Sequence, residues 1–407
     1  MTSVFDLLPQ DGLPILLRQV QVLEHDPLDL LITGDRVLQL APPQLPPHIQ
    51  VLPAEQVILG PGLIDLYSTC TPGFEQRETW ISLSQAAAQG GFWQVGLLPP
   101  VNNLAELELI NRQAPPCLRP WAAISQAHHL NQLAELAPHV LGFGQTSPID
   151  DLGFWRHILD YLNPFHRPLL VWAYDQKLAA QGVMREGSYA LELGLKGVPT
   201  LAETAAIASL VELVRYTHTP IHFMRVSSQR SLEIIAQAQA QGLPISASVV
   251  WHHLIHDLTQ LATYHSALHL SPPLGNQADQ LALIEGIKTG IISSIAIDHI
   301  SYTYEEKSVP FENSPPGAIG LELALPLLWE HLVSPGHLTP LQLWQALSHH
   351  PAAQLGIPTP PLVTLFDPTY RWQPNSNSLY TLGRNSLWLD HQISGKALCF
   401  RISKLYS

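Results

Sequence analysis

The stretch Pro61-Gly-Leu-Ile-Asp65-Leu-Tyr67-Ser-Thr69-Cys-Thr-Pro72-Gly-Phe74 decides the fold that this sequence predicts. An apolar run follows Pro61-Gly62 and ends in Asp65, which indicates a short buried strand that opens onto a loop at its C-terminal end. In parallel α/β barrels, that end of a strand is where chemistry takes place.

The composition is that of a large protein with a buried core. The chain has 407 residues, enough for one large α/β barrel and a small accessory domain. Hydrophobic residues make up 46% and charged residues 13%, which argues against disorder. The net charge of -13 argues against binding to nucleic acid or to anionic membranes, since both require basic patches.

The cysteines and the first residues bear on the cellular compartment. Three cysteines without paired spacing fit a reducing cytoplasm better than a disulfide framework or a structural zinc site. Residues 1–10 lack the basic start and apolar core of a signal peptide, and no apolar run is long enough to span a bilayer. We therefore expect a cytoplasmic protein that does not insert into membranes.

Strand-like and helix-like segments alternate through the middle of the chain, which is the sign of βα units. Strands are predicted at 93–98, 169–173, 221–226, 244–249 and 292–298, and helices at 82–90, 200–218, 228–241, 279–290 and 320–332. Both chain ends instead contain short strand-like segments: 15–23 and 28–40 at the start, before a loop at 41–48, and 362–368, 378–382 and 397–402 at the end.

The opening stretch resembles the first barrel strand of the amidohydrolases, and most closely that of the dihydroorotases. That family has Pro-Gly, two hydrophobic residues, Asp, a hydrophobic residue and His-x-His, followed by an arginine and later by Pro-Gly-Phe-Glu. Pro61, Gly62, Asp65 and residues 72–75 match, but the loop is one residue short and lacks the arginine. The resemblance extends over essentially the whole chain.

The resemblance implies an α/β architecture, a (β/α)8 TIM-type barrel of the amidohydrolase kind with a small β-sandwich domain built from both chain termini. Residues 1–60 would form the N-terminal half of the small domain, residues 61–360 the barrel, and residues 361–407 the C-terminal half. Phe366-Asp367-Pro368 matches a motif that family members carry near their C-terminus.

The resemblance also implies a set of zinc-ligand positions, and this chain departs from the family at nearly all of them. The two histidines of the first strand are replaced by Tyr67 and Thr69, whose hydroxyls are poor zinc ligands. Trp172 stands at a later histidine position, and an indole N–H only donates hydrogen bonds. Arg225 stands at another, and a guanidinium has no lone pair to offer. The bridging position falls in the run 143–148, which contains neither an acid nor a lysine.

Asp298, followed by His299, is the one expected ligand that remains, in a run that matches the family's Ala-x-Asp-His. The family uses this acid as a general base, but without a metal-bound water it has no activated proton to remove. A buried carboxylate needs a partner. Because Arg225 projects from a nearby strand end in the family geometry, we expect Arg225 to occupy the former metal volume and to form an ion pair with Asp298. We therefore expect no catalytic residue, no bound zinc and no other cofactor.

Three further features each have two interpretations. Trp172 stacks on a ligand or fills the former cavity, and filling is expected because protein interiors resist voids. His252, His253 and His256 form a new metal site, or they are inherited structural residues. Cys70 is a nucleophile or inert packing, and no base is evident beside it.

The resemblance leads to alternative functions. The first is a non-catalytic dihydroorotase-like protein of pyrimidine biosynthesis, similar to the metal-free relatives that some bacteria pair with aspartate carbamoyltransferase, which implies an oligomer or hetero-complex. The second is an active dihydroorotase or related cyclic-amide hydrolase with a mononuclear or metal-free site. The third is a sensor of a pyrimidine intermediate, which needs an open cavity that Trp172 and Arg225 are expected to close.

Overall fold

The structure is a computed structural model that describes residues 5, 14–23, 25–33, 37–40, 49–126, 129–146, 151–358 and 360–402. The loop predicted at 41–48, the N-terminal residues 1–4 and 6–10, and residues 147–148 of the bridging run lie outside the described residues. No helix in the described ranges combines the length and the apolar character needed to cross a membrane.

The strands near both ends of the chain form one sheet, and most of the strands between them form a second, larger sheet. In chain order they are β1 (Ile15–Val22), β2 (His25–Thr33), β3 (Val37–Leu40), β4 (Gln50–Pro53), β5 (Ile58–Pro61), β6 (Leu63–Thr69), β7 (Phe92–Val101), β8 (Leu118–Ala123), β9 (Ser125–Gln126), β10 (His129–Leu130), β11 (Phe143–Gln145), β12 (Leu169–Val171), β13 (Met184–Arg185), β14 (Gly197–Val198), β15 (Ile221–Phe223), β16 (Ile245–Val250), β17 (Ser294–Ala296), β18 (Leu362–Trp372) and β19 (Ile393–Ile402).

The helices connect the strands of the larger sheet. They are Trp80–Gln89, Leu104–Gln113, Leu133–Leu136, Leu152–Leu162, Gln176–Ala179, Ser188–Glu192, Leu201–Thr217, Gln229–Ala240, His252–Ile255, Gln277–Lys288, Tyr304–Lys307, Ala324–Leu328, Pro340–Trp344 and His350–Gln354, with π-helical turns at Trp329–Val333 and Gln345–His349 and 3-10 turns at Ala137–His139, Asn163–Phe165, Leu258–Thr263, Ser266–Leu268 and Phe311–Asn313. Side-chain caps define several starts: Ser228, for example, accepts a hydrogen bond from the backbone N–H of Ser231.

The larger sheet is a parallel barrel whose strands are neighbours in chain order, β6, β7, β8, β11, β12, β15, β16 and β17. The last strand returns to the first: the backbone N–H of Asp298 donates to the carbonyl of Tyr67 at 3.1 Å, and that of Thr69 donates to the carbonyl of His299 at 2.8 Å. The predicted amidohydrolase-type barrel is confirmed. Its closure places residues from strand ends that are far apart in sequence around one mouth.

The smaller sheet combines both ends of the chain. Its order is β2-β3-β19-β18-β5-β1-β4, and β2 also pairs with β1. Leu17, Val20, Leu365 and Phe400, which come from opposite ends of the chain, are buried in one cluster between its strands. The predicted β-sandwich domain formed by both termini is confirmed.

The prediction of a strand at 378–382 is wrong. This segment forms turns and bends, because its backbone groups bond to a carboxylate instead of a neighbouring strand. The backbone N–H groups of Tyr380 and Thr381 donate to the buried Glu322, at 3.0 and 3.1 Å to its nearer oxygens. The segment therefore leaves the small domain and lies against the barrel.

Close contact between the first two barrel strands generates a prediction for Gly96 on β7. A Cβ atom at this position would lie 2.0 Å from the carbonyl oxygen of Leu66, which also accepts a hydrogen bond from the indole of Trp121. We expect Gly96→Ala to lower the free energy of unfolding by about 3 kcal/mol, because backbone cannot move aside as a side chain can.

Urea unfolding measures the effect, and Gly153→Ala is the control. A Cβ atom at Gly153 meets only Asp151 Oδ1, at 3.2 Å, and this glycine is exposed in the first turn of the helix Leu152–Leu162. The close approach of the two strands is contradicted if both variants unfold at the wild-type urea concentration.

Candidate functional site

A buried ion pair lies at the mouth of the barrel. Arg225 Nε donates to Asp298 Oδ2 at 2.8 Å, and Arg225 Nη2 donates to Asp298 Oδ1 at 2.6 Å. The two side chains are 10% and 9% exposed. Burial alone would lower the pKa of Arg225, but the charge and hydrogen bonds of Asp298 outweigh burial and raise that pKa above its usual value. The structure thus brings together two residues that are 73 positions apart in the chain, in a bidentate geometry that is among the stronger forms of hydrogen bonding.

Tyr67 holds the backbone of both partners. Its hydroxyl accepts a hydrogen bond from the backbone N–H of Arg225, and its carbonyl accepts one from that of Asp298, both at 3.1 Å. Arg225 and Asp298 have φ angles of 59° and 51°, in the left-handed region that is costly for residues other than glycine. Burial raises the pKa of Tyr67, so the phenol stays neutral. Tyr67 therefore supports the ion pair at the position where relatives are expected to hold a metal.

Aromatic rings enclose the guanidinium. Arg225 Cζ lies 5.1 Å from the centroid of the Trp172 ring and 5.8 Å from that of Tyr67. Trp172 in turn stacks on Tyr174, with ring centroids 4.8 Å apart and planes inclined by 12°. Cation–π contacts of this kind stabilise an arginine away from water, and the stack fixes the indole at one side of the mouth.

Asp65 lies beneath the pair and ties the first barrel strand to the last. One of its oxygens accepts a hydrogen bond from the backbone N–H of Ile297 at 2.7 Å, and the other accepts one from the hydroxyl of Ser68 at 2.5 Å. Burial raises the pKa of Asp65 to about 7. The acid of the opening motif is therefore part of the barrel closure, not of a reacting centre.

His299 belongs to a second buried network. Its Nδ1 accepts hydrogen bonds from the backbone N–H groups of Gly320 and Leu321, at 3.2 and 3.4 Å. The proton of a neutral imidazole is then on Nε2, which donates to Glu78 Oε2 at 3.2 Å. Ser301 also lies 3.3 Å from Nε2. A hydrolytic triad would place serine and acid at opposite nitrogens of the histidine, so this network is structural.

Glu78 is the residue of this region that sequence reasoning missed. It accepts hydrogen bonds from the hydroxyls of Ser82, Ser301 and Thr381 in addition to that from His299. Burial would raise the pKa of Glu78, but these hydrogen bonds outweigh burial and lower it to about 2. Ser301 and Thr381 are 223 and 303 positions away, so no local pattern indicated the role of Glu78.

An open cavity of about 250 Å³ adjoins the ion pair, lined among others by Trp172, Arg225, His252, Ser271, Asp298 and Tyr302. The expectation that Trp172 and Arg225 close the former cavity is wrong. The stack on Tyr174 holds the indole along the wall, and Asp298 and the two rings hold the guanidinium at the edge.

The donors at the mouth do not fit zinc. A phenol, a cationic guanidinium and an indole N–H offer no lone pair suited to the ion, and both oxygens of Asp298 already accept hydrogen bonds from Arg225. The backbone N–H of Thr69 donates to the carbonyl of His299, so Thr69 takes part in closing the barrel. Gln145 ends β11, where its carbonyl accepts a hydrogen bond from the backbone of Trp172 at 3.0 Å.

The other sequence candidates are dispersed or buried. Within the described residues, no three or more His, Cys, Asp and Glu side chains gather in a geometry that could hold a metal. The rings of His252 and His256 are 6.1 Å apart, and His253 Nε2 lies 3.1 Å from the carbonyl oxygen of Pro272. Burial raises the pKa of Cys70 to about 12, which leaves a protonated thiol and favours the packing interpretation.

Comparison with known proteins places this geometry in context. The chain is 38% identical over 399 residues, covering 88% of this chain and 90% of the relative, to a probable dihydroorotase-like protein of Synechocystis sp.. It is 32% identical over 366 residues to a dihydroorotase of Pelotomaculum thermopropionicum (85% of this chain and 86% of the relative) and 33% identical over 392 residues to that of Syntrophotalea carbinolica (91% and 92%). No family model matches the sequence.

Solved structures share the fold at lower identity. An L-hydantoinase (dihydropyrimidinase) from Arthrobacter aurescens superposes with a TM-score of 0.78 at 16% identity, covering 94% of this chain and 93% of the other. A D-hydantoinase (dihydropyrimidinase) from Thermus sp. gives a TM-score of 0.76 at 19% identity, covering 94% and 93%. This similarity concerns the architecture of the barrel and small domain.

The ion pair generates a prediction about stability. Arg225→Met keeps an unbranched side chain but leaves the carboxylate of Asp298 buried without a counter-charge, so we expect a loss of about 3–5 kcal/mol in the free energy of unfolding. In the double variant Arg225→Met, Asp298→Asn we expect most of that loss to be recovered, since asparagine tolerates the left-handed backbone and carries no charge. Denaturant unfolding of the single and double variants measures the coupling; purely additive losses would contradict it.

Burial of His222 generates a prediction about pH. Its Nδ1 lies 2.8 Å from the hydroxyl of Ser246, and burial lowers the pKa of His222 from 6.5 to about 3. Between these two values the unfolded chain binds a proton that the folded chain does not, so stability falls as the pH decreases from 6.5 towards 3.

We expect His222→Asn to reduce the change of the unfolding free energy with pH by up to about 1.4 kcal/mol per pH unit, which corresponds to one bound proton. Urea unfolding at several pH values measures the slope. His157→Asn, at an exposed helix position, controls for the exchange itself, and a His222→Asn slope equal to that of the wild type would show that His222 is not the group responsible.

Proposed function

This chain belongs to the dihydroorotase family of the amidohydrolase superfamily, and from that premise we propose that it is a non-catalytic member, a pseudoenzyme that acts as a structural or regulatory partner of aspartate carbamoyltransferase in pyrimidine biosynthesis. The proposal includes a cytoplasmic location and a hetero-complex as the working form.

The observation that carries the proposal is the Arg225–Asp298 ion pair. Metal-assisted amide hydrolysis needs ligands with lone pairs, a metal-bound water and a base free to take its proton. Both oxygens of Asp298 accept hydrogen bonds from Arg225, so the family's acid is engaged in an ion pair with a cation at the place where a metal-bound water would be needed. A positive guanidinium at this point also opposes the approach of a metal cation.

Retention of the complete scaffold supports a role in assembly. The barrel and the small domain are both present and extend over nearly the whole chain, as in the hydantoinases. Large apolar side chains also remain on the surface: Leu191 is 83% exposed and Tyr304 is 74% exposed. Exposed apolar groups of this size are suited to protein–protein contacts.

A single preparation of the protein tests the proposal. We expect zinc far below one ion per chain after purification in zinc-supplemented buffer, and no conversion between carbamoyl aspartate and dihydroorotate. We further expect aspartate carbamoyltransferase from the same organism to co-purify with this chain. A catalytically active dihydroorotase, purified in the same way, is the matched control for metal loading and assay.

The outcomes separate the rival functions. Stoichiometric zinc together with dihydroorotase activity would establish the active hydrolase and overturn the proposal. Activity without metal would identify an altered hydrolase. Absence of both activity and complex formation, with the two proteins mixed at micromolar concentration, would leave the pseudoenzyme without its partner and overturn the assembly role.

A further inference from the structure

A second cavity lies at the end of the barrel opposite the ion pair. Its volume is about 530 Å³, and its lining includes residues 167–168, which precede β12, and residues 219–220, which precede β15. Trp172 and Arg225 follow the other ends of these two parallel strands, at the mouth. The cavity is therefore separate from the site described above and from the end of the barrel where this fold places its chemistry.

Arg167 brings a positive charge to this cavity without a counter-charge. It is partly buried and lines the cavity, and its side chain forms no ion pair or hydrogen bond with any described residue. Arginines on three helices are instead each paired with a glutamate of the same helix: Arg112 with Glu108, Arg215 with Glu212, and Arg230 with Glu233. In a chain with 33 acidic residues against 20 lysines and arginines, a partly buried arginine without a carboxylate indicates a counter-charge that comes from a ligand.

Two neighbouring side chains add hydrogen-bond donors. Asn163 and His166 also line the cavity, and neither side chain forms a hydrogen bond within the part of the chain that the structure describes. A turn holds them beside Arg167: the backbone N–H of His166 donates to the carbonyl of Asn163 at 3.4 Å, and His166 has a φ of 49°, a left-handed conformation that histidine adopts more readily than most residues. Among the described residues that line the cavity, none is acidic. An anion would therefore find donors here and no like charge on the walls.

The nearby helix ends do not account for these three side chains. Helices such as Leu152–Leu162 end on this side of the barrel, and the carbonyl end of a helix attracts cations. Among the described residues, however, no carbonyl oxygen accepts a hydrogen bond from any of the three side chains. Other polar side chains of the wall are already engaged: the hydroxyl of Thr219 donates to the carbonyl of Leu159 at 2.8 Å, and the amide of Gln354 donates to the hydroxyl of Ser293.

The donors and the size of the cavity determine the kind of anion. A guanidinium matches the geometry of a phosphate group and can bind two of its oxygens at once. An amide and an imidazole beside it can donate to a further oxygen. A cavity of this volume also has room for a ring-sized body, and Leu162, Leu169 and Leu355 provide apolar wall for it. The site is thus suited to a phosphate group attached to a small, partly apolar molecule.

We propose that this cavity binds a phosphate monoester, whose phosphate oxygens accept hydrogen bonds from Arg167, Asn163 and His166 while its ring-sized body contacts the leucines of the wall. Binding at this end of the barrel uses none of the residues at the mouth. This inference goes beyond the partner role and does not depend on it.

Phenyl phosphate is the probe, and phenol and inorganic phosphate, which each lack one half of it, are its matched analogues. Isothermal titration calorimetry of the full-length protein at low salt should show saturable binding of phenyl phosphate, with a dissociation constant on the order of millimolar for a ligand of this size. Phenol should bind at least about tenfold more weakly, since it lacks the charge that Arg167 attracts. Inorganic phosphate should bind at least about threefold more weakly, since it lacks the ring that the leucines contact.

Three results would overturn the proposal. The first is no binding of phenyl phosphate at about 20 times the expected dissociation constant. The second is equal affinity for phenol, which would show that the phosphate group is not recognised. The third is equal affinity for inorganic phosphate, which would show that the cavity does not select a monoester.

Variants locate the binding in the cavity. Arg167→Met removes the guanidinium but keeps an unbranched side chain, and it should reduce the affinity for phenyl phosphate at least about tenfold. Asn163→Ala should cause a smaller loss, because one neutral hydrogen bond contributes less than a charged one. Ala353→Leu adds carbon atoms to an exposed wall residue of the helix His350–Gln354 and should weaken binding by narrowing the cavity. Leucine is a good helix former, so this helix should be retained.

The control is Arg371→Met, which removes the same charge from an exposed position on β18 of the small domain and should leave binding unchanged. Wild-type affinity in Arg167→Met, in a protein with a wild-type circular dichroism spectrum, would overturn the assignment to this cavity. The zinc, activity and co-purification results are independent of these titrations, so a failure of this inference is distinguishable from a failure of the proposed function.

Discussion

The bidentate contact between Arg225 and Asp298 is the interaction on which the rest of the barrel mouth depends. Either charge alone at this depth would be costly, and together they form a neutral unit whose geometry is set by the planar guanidinium. Tyr67 joins that unit to the first strand through both its hydroxyl and its carbonyl. Strands that begin and end the barrel are thereby connected at the one place where relatives are expected to hold a metal.

An ion pair and a metal centre differ in how they can bind water or a substrate. A zinc ion leaves a coordination position open for water or substrate, whereas a guanidinium directs its donors in one plane and two of its nitrogens are already used. At the mouth of this barrel, the cavity therefore lies beside a fixed set of hydrogen-bond donors.

Local motifs made much of this structure predictable. The barrel and the shared small domain were predicted from the resemblance of short runs such as 61–75 and 295–299 to the dihydroorotases, and the alternation of strand-like and helix-like segments agreed with the barrel. The role of Glu78 was not predictable, since its partners include residues from two distant segments, 299–301 and 381. The course of residues 378–382 was missed because Glu322, not a strand, receives its backbone hydrogen bonds. The orientation of Trp172 depends on Tyr174 and Arg225 together, which composition does not reveal.

The shared small sheet has a consequence for biosynthesis. Strands β1 and β5 leave the ribosome early, but β18, which pairs with β5 and continues into β19, begins only at Leu362. At about 5–20 residues per second, roughly 15–60 seconds separate the two halves. During that interval the nascent chain exposes unpaired strand edges and the apolar faces of Leu17 and Val20, so this protein is expected to depend on chaperones while it is still being translated.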